Sequence, residues 1–241
     1  MKILVINPNT TASMTNKIAI AAKAVARPDT QIIATNSQDG PASIEGYLDV
    51  ATCIPGLLAE VKRHSDVDAI VIACFDDTGL DAVRCLVDVP VIGIGEAAYH
   101  AASMISAKFS VITTLSRSVT GLEANLSRYG LGARCARVRA TDIPVLKLEE
   151  GDAATTDKIR HEIQLAITED KAEAIVLGCA GMADLMAQLT REFGLPVVDG
   201  VACAITLVEG LVAAGLTTSK LGTYASPETV LLKEEFSDIT V

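Results

Sequence analysis

The chain is written twice. AIVIACFDDTGLDAVRCLVDVPVIG begins at Ala69 and AIVLGCAGMADLMAQLTREFGLPVVDG begins at Ala174. Each runs from an aliphatic stretch through a Cys and a small-residue turn to an amphipathic helix and a Pro-Val entry into another strand. Cys74 and Cys179 hold equivalent places, 105 positions apart (179 − 74). KILVINPNT at Lys2 parallels KFSVITTLS at Lys108, and Ala34-Thr35 parallels Ala140-Thr141, both at an offset of 106. Three segments at nearly one offset mark a duplicated unit. Whatever one half folds into, the other must fold into as well.

Within each copy, strand-like and helix-like stretches alternate. Strands are expected at residues 3–6, 31–34, 69–73 and 91–94, then at 110–113, 137–140, 174–177 and 197–198. Helices are expected near 13–25, 54–63, 121–129 and 155–168. Regular alternation predicts parallel sheets with right-handed crossovers. The expected fold class is therefore α/β: two similar doubly wound, flavodoxin-like domains related by a pseudo-twofold axis, with the site in the cleft between them. A boundary near Gly95–Glu96 gives residues 1–95 plus 215–241 as one domain and 96–214 as the other. The apolar stretch 201–213 and the tail through 220–224 are expected to cross back onto the first.

Composition agrees with this class. Half the residues are hydrophobic, yet aromatics make up only 3% and Trp is absent, so the core must be aliphatic. Buried parallel strands read as such runs. The net charge of −10 and the lack of a basic stripe argue against nucleic acid as a partner. No apolar run approaches the ~18 residues of a membrane span. The run before Asn7 and Pro8 is too short for an export signal. A soluble, cytoplasmic chain is expected. Six cysteines show neither a CxxC pair nor zinc-like spacing, so free thiols and no metal are expected.

Paired thiols at equivalent strand ends suggest a chemistry. Carboxyl ends of strands are where open α/β sheets bind ligands. Related halves would bring Cys74 and Cys179 to opposite sides of one ligand. Racemisation needs that arrangement: one base removes a proton from one face, and the conjugate acid of a second base returns one to the other. A thiol, with a reference pKa of about 8.5, suits the task. Backbone amides of 75–77 and 180–182 are placed to lower that value and to hold an enolate oxygen. Cys53, Cys85, Cys135 and Cys203 lack such symmetry and read as packing.

Short polar segments flank the cysteines. NPNTT at 7–11 would present Asn9, and the equivalent stretch would present Thr113 and Thr114. GPASIEG at 40–46 is a loop that would close over the site with Ser43 inward. Phe75, Asp76, Ala180 and Gly181 follow the cysteines and complete the candidate substrate contacts. Either Asp76 or Asp77 serves as a helix cap. Pocket width would depend on the loops near Ile44, Phe75 and Met182. GIGEAA at 93–98 mimics part of a dinucleotide fingerprint. It does not follow the first strand, and it lacks an acidic residue ~20 positions on. His64, His100 and His161 are scattered and read as structural.

At INPNTTASMT, GPASIEG, VIACFDDTGL, FSVITTLSRSV and AEAIVLGCAGM the chain resembles the aspartate/glutamate/hydantoin racemase superfamily, nearest its hydantoin and allantoin racemase branch. The resemblance covers essentially the whole chain. It implies two similar α/β domains, no cofactor, homo-oligomers and two catalytic cysteines matching Cys74 and Cys179. In the amino-acid racemases of the superfamily, Asn-Thr follows the first Cys, and Thr follows the second. Here Phe75-Asp76 and Ala180-Gly181 stand instead. That departure implies a flat, neutral hydantoin ring as the small-molecule substrate rather than a zwitterion. The rival readings are a maleate isomerase, an arylmalonate decarboxylase or an aspartate or glutamate racemase. A two-lobed binding module is a further rival, but it has no need for paired thiols.

Overall fold

In the computed structural model, which describes residues 1–226, two parallel sheets of four strands repeat one topology. Residues 227–241, part of the expected 215–241 segment, lie outside the described residues. The first sheet contains β1 (Lys2–Asn7), β2 (Gln31–Asn36), β3 (Ala69–Ile72) and β4 (Val91–Gly93) in the order β2-β1-β3-β4. The second contains β5 (Phe109–Thr113), β6 (Cys135–Ala140), β7 (Ala174–Leu177) and β8 (Val197–Asp199) in the order β6-β5-β7-β8. All neighbouring strands are parallel. The crossovers are α1 (Ala12–Val25), α2 (Tyr47–Arg63), α3 (Leu80–Leu86), α5 (Val119–Arg128), α6 (Ala153–Thr168) and α7 (Met186–Phe193). Each half then ends in a further helix, α4 (Ile94–Ile105) or α8 (Gly200–Ala213).

Alternation along the strands decides what faces what, since successive side chains point to opposite faces. Ile3 and Val5 of β1 and Ala69 and Val71 of β3 join a central apolar cluster, while Leu4, Ile6, Ile70 and Ile72 join an outer one under α2. Phe109 and Val111, with Ala174 and Val176, repeat the inward pattern, and Ile112, Ile175 and Leu177 repeat the outward one. The central cluster takes residues from both sheets together with α1, α4 and α8, so the halves share one core.

Two elements differ from the sequence expectation. α2 begins at Tyr47 rather than near 54, which leaves Pro55 in the helix interior. There it forfeits a backbone bond at a cost of ~3 kcal/mol. Burial of Leu57 and Val61 against the first sheet offsets that cost. α4 takes over Ile94 from the expected strand, and the expected boundary at Gly95–Glu96 falls in its first turn.

α8 packs on α1, α4 and β3. The tail after it returns to the first sheet: the Thr218 amide donates to the Asp88 carbonyl at 2.7 Å, and Lys220 Nζ to the Arg84 carbonyl at 2.8 Å. The Tyr224 hydroxyl reaches Asp81 at 3.0 Å. No helix among the described residues is long and apolar enough to cross a membrane.

Candidate active site

The duplicated strands end in duplicated turns. The Ala73 amide, one position past β3, donates to the Ile6 carbonyl at 2.8 Å, and the Gly178 amide past β7 donates to Ile112 at 2.8 Å. The next residue in each case is the cysteine. Each cysteine carbonyl then accepts a bond that closes a tight turn, from the Asp77 amide onto Cys74 and from the Met182 amide onto Cys179, both at 3.0 Å. Two of the amides expected to serve a ligand are therefore spent inside the turns.

Cys74 and Cys179 line one cleft, a small chamber of about 40 Å³. Asn9, Phe75, Asp76, Thr113, Thr114 and Ala180 line it too, all expected from the sequence. Gly181 stands behind: a Cβ added there would lie 3.6 Å from Cys179 Sγ. Ser43 does not line the cleft; its neighbour Ile44 does. One residue along a loop reverses the side presented, and no periodic pattern fixes that phase. Met182 is fully buried in the outer cluster of the second sheet and plays no part in the wall. His64, His100 and His161 are absent from it.

Sequence reading did not single out Asn7, Met14, Ala73, Ser118, Val145 and Gly178, which complete the lining. Asn7 and Ser118 lie inside recognisable segments, and proximity to Asn9 and Thr114 was the available signal. Val145 lies in the connection between β6 and α6, the counterpart of the one that carries Ile44, and nothing in its own sequence marked it.

Asn7 and Asn9 organise the first wall. Asn7 Nδ2 donates to Asn9 Oδ1 at 2.8 Å and to Thr15 Oγ1 at 3.1 Å, while Asn9 Oδ1 also accepts from the Thr11 amide at 2.9 Å. Asn9 Nδ2 donates to the Met14 sulfur at 3.3 Å, a weak acceptor that a ligand oxygen can replace. Opposite, Thr113 Oγ1 donates to the Gly178 carbonyl at 3.3 Å. The Phe75 ring packs edge-on against Tyr99, centroids 5.2 Å apart, so this aromatic belongs as much to the core as to the wall.

Glu45 closes the cleft from the 40–46 loop. Its carboxylate accepts from Arg117 and from the Val145 amide, and its carbonyl accepts from Ser118 Oγ. These bonds tie a loop of the first half to the second.

The electrostatics depart from expectation at Cys74. Burial pushes its thiol well above the ordinary value, and the neighbouring Asp76 carboxylate adds to the rise. The Asp76 amide and the Thr78 hydroxyl, 3.7 Å from Sγ, pull the other way but do not prevail. Turn amides lower a thiol only where they outweigh desolvation. Burial also raises Asp76, to about 6.

Asp77 does cap a helix, though not the one that follows it. With φ of 51°, a left-handed conformation that Asp tolerates, its carboxylate accepts from the Gly95 amide at 2.9 Å and the Glu96 amide at 2.7 Å. It thus caps α4, and the Tyr129 hydroxyl donates to it at 2.8 Å. A Cβ at Gly93 would stand 1.9 Å from Asp77 Oδ1, and one at Gly95 2.3 Å from the Phe75 carbonyl oxygen. The apparent dinucleotide fingerprint is thereby explained: its glycines clear space for the Cys74 turn. In the second half Asp199, equivalent to Gly93, caps α8 itself through the Ala202 amide at 2.8 Å.

Among the described residues no set of three or more His, Cys, Asp and Glu side chains gathers as metal ligands.

The comparisons with known proteins agree with this geometry. Residues 3–208 match the family model described as Asp/Glu/Hydantoin racemase. A hydantoin racemase of Rhizobium meliloti is 50% identical over 229 residues, covering 94% of this chain and 95% of that one. The hydantoin racemase of Pseudomonas sp. strain NS671 is 48% identical over 230 residues, covering 95% and 92%. The structure of an allantoin racemase from Klebsiella pneumoniae superposes with a TM-score of 0.95 at 47% identity, covering 99% of this chain and 98% of that one. A glutamate racemase from Campylobacter jejuni, 20% identical with a TM-score of 0.62 and coverage of 90% and 87%, shares the fold. The chain belongs to the Asp/Glu/hydantoin racemase family.

Proposed function

We propose that the chain inverts C5 of a 5-substituted hydantoin or of allantoin, with Cys74 and Cys179 as the two bases and no cofactor. The observation that carries this reading is the pair of equivalent turns that bring both cysteines to one cleft. The relatives are hydantoin and allantoin racemases by name, which supports the ring as substrate. One thiolate takes the C5 proton, and the electron pair spreads into the adjacent ring carbonyl as an enolate. The opposite thiol then delivers its proton to the other face, leaving the first sulfur protonated and the second as thiolate. Asn9 Nδ2 and the polar groups of Thr113 and Thr114 would orient the ring. Cytoplasmic residence, a place in purine catabolism and assembly into a homo-oligomer form part of the same reading.

The test is racemisation followed by circular dichroism on allantoin, alkyl-hydantoins and aspartate in parallel, repeated in heavy water. Inversion of a hydantoin with deuterium entering at C5 is the expected result. Activity on aspartate alone would overturn the ring substrate.

The raised pKa of Cys74 gives a pH prediction. Its first cause is burial and its second the Asp76 charge. Asp76 titrates near 6, so that charge acts on the thiol only at higher pH. Asp76→Asn removes a like charge and so favours the thiolate. The acid limb of kcat/KM should move down by about one pH unit, and by the same amount for both enantiomers, because an equilibrium constant of one ties their kcat/KM values together. An unmoved acid limb, or one that moves up, would refute the assignment.

A further inference from the structure

A hydantoin carries a substituent at C5, and the chamber between the cysteines is small. A second hollow of about 220 Å³ adjoins it, and the two share Asp76 and Ser118 in their walls. A ring seated between the thiols therefore has this hollow beside it, on the side of Asp76 and Ser118. The hollow lies between the first turn of α2 and one face of α5. Tyr47 and Val50 come from the first. Gly121, Ala124 and Asn125 come from the second, at the three- and four-residue spacing of a single helix face.

The wall is apolar in its floor, and its rim is largely satisfied within the protein. Tyr47, Val50, Ala124 and the glycines Gly46 and Gly121 supply carbon surface. Most polar groups around them are engaged within the protein, the Asp76 carboxylate being the exception. Arg117 pairs with Glu45, Ser118 Oγ donates to the Glu45 carbonyl, and Asn125 Nδ2 donates to the Asp76 carbonyl at 2.9 Å. A ureido tail brings a carbonyl and several N–H groups to a wall where the Asp76 carboxylate is the one acceptor not already engaged, so most of its polar groups would be buried without partners, which is unfavourable. An alkyl or aryl tail would only shed water.

Gly121 is the lining position from which a side chain would enter the hollow. It sits inside α5, where glycine is a poor helix former. A Cβ there would meet nothing within 4 Å, so no packing requires its smallness.

We propose that this hollow is the subsite for the C5 substituent, that it selects apolar groups up to the size of benzyl over the ureido group of allantoin, and that Gly121 sets its depth. The proposal rests on the racemase reading above.

The test compares kcat/KM for 5-benzylhydantoin, 5-methylhydantoin and allantoin in the wild type, Gly121→Ala and Gly121→Leu. Wild type should prefer the benzyl compound to allantoin by about tenfold or more, and Gly121→Leu should cut the benzyl-to-methyl ratio by about tenfold or more. Gly121→Ala should change that ratio by less than about threefold. Because the ratio cancels the amount of active enzyme, partial misfolding of a variant does not obscure it. An unaltered ratio in Gly121→Leu, or a wild-type preference for allantoin, overturns the subsite. Failure of the wild type to racemise any of the three overturns the racemase reading instead, and the subsite falls with it.

Discussion

A Cys179→Ser protein is expected to invert a 5-substituted hydantoin about 10³-fold more slowly than the wild type, and Cys74→Ser should lose as much. A serine hydroxyl is nearly isosteric but far too weak an acid to stand as a base or to return a proton on the catalytic timescale. The two variants should nevertheless differ in heavy water. With Cys179 replaced, Cys74 can still take the C5 proton from one enantiomer and give a deuteron back to the same face. Exchange without inversion is expected there for one hand of the substrate only, and Cys74→Ser should show the opposite hand. Serine keeps the size of the side chain, so the unfolding free energy of each variant, read from urea titration, should stay within about 1 kcal/mol of wild type. Inversion at the wild-type rate by either variant would end the two-thiol mechanism.

The two cysteines were legible because duplication converts a weak signal into a strong one. A single strand-end Cys is ordinary packing, but the same Cys at the same place in both copies demands a reason. The sheets were legible for a related cause: buried parallel strands such as Ile3–Ile6 and Ala174–Leu177 are aliphatic on both faces, and their boundaries show as a change of composition. α4 was harder to place. AAYHAASMI buries Ala97, Ala98, Tyr99 and Ala102 on more than one side, so it carries no clean polar stripe.

Site details that depend on three-dimensional proximity could not be read at all. The acidity of Cys74 follows from how much water its surroundings exclude, and the sequence around it suggested the reverse direction. Whether Ser43 or Ile44 faces the ligand depends on the phase of a loop. Glu45 would pass for a solvent-exposed charge, yet its carboxylate links residues separated by up to 100 positions. Gly93 and Gly95 show the same limit from another side. Their spacing mimics a phosphate-binding motif, and only the position of Asp77 reveals what the missing side chains make room for.

That role of Gly95 carries the largest expected effect outside the cysteines. Gly95→Ala would place a methyl group 2.3 Å from the Phe75 carbonyl oxygen and 2.8 Å from Asp77 Oδ2. The first neighbour is backbone and cannot rotate away. Its residue is held by the Phe75 ring against Tyr99, and the Asp77 carboxylate is fixed by the Gly95 and Glu96 amides. Relief must come from a shift of the Cys74 turn or of the start of α4. Such overpacking costs roughly 1–3 kcal/mol, visible as a lower urea midpoint with an unchanged slope. Activity should fall further than the folded fraction does, since the displaced turn carries a sulfur that must meet one carbon. Gly210→Ala is the matching control. That glycine lies in α8 with open space around its Cβ position, and alanine there should stabilise by about 0.5–1 kcal/mol. A Gly95→Ala protein with the wild-type midpoint and wild-type kcat/KM would show that the turn is not held as its contacts require.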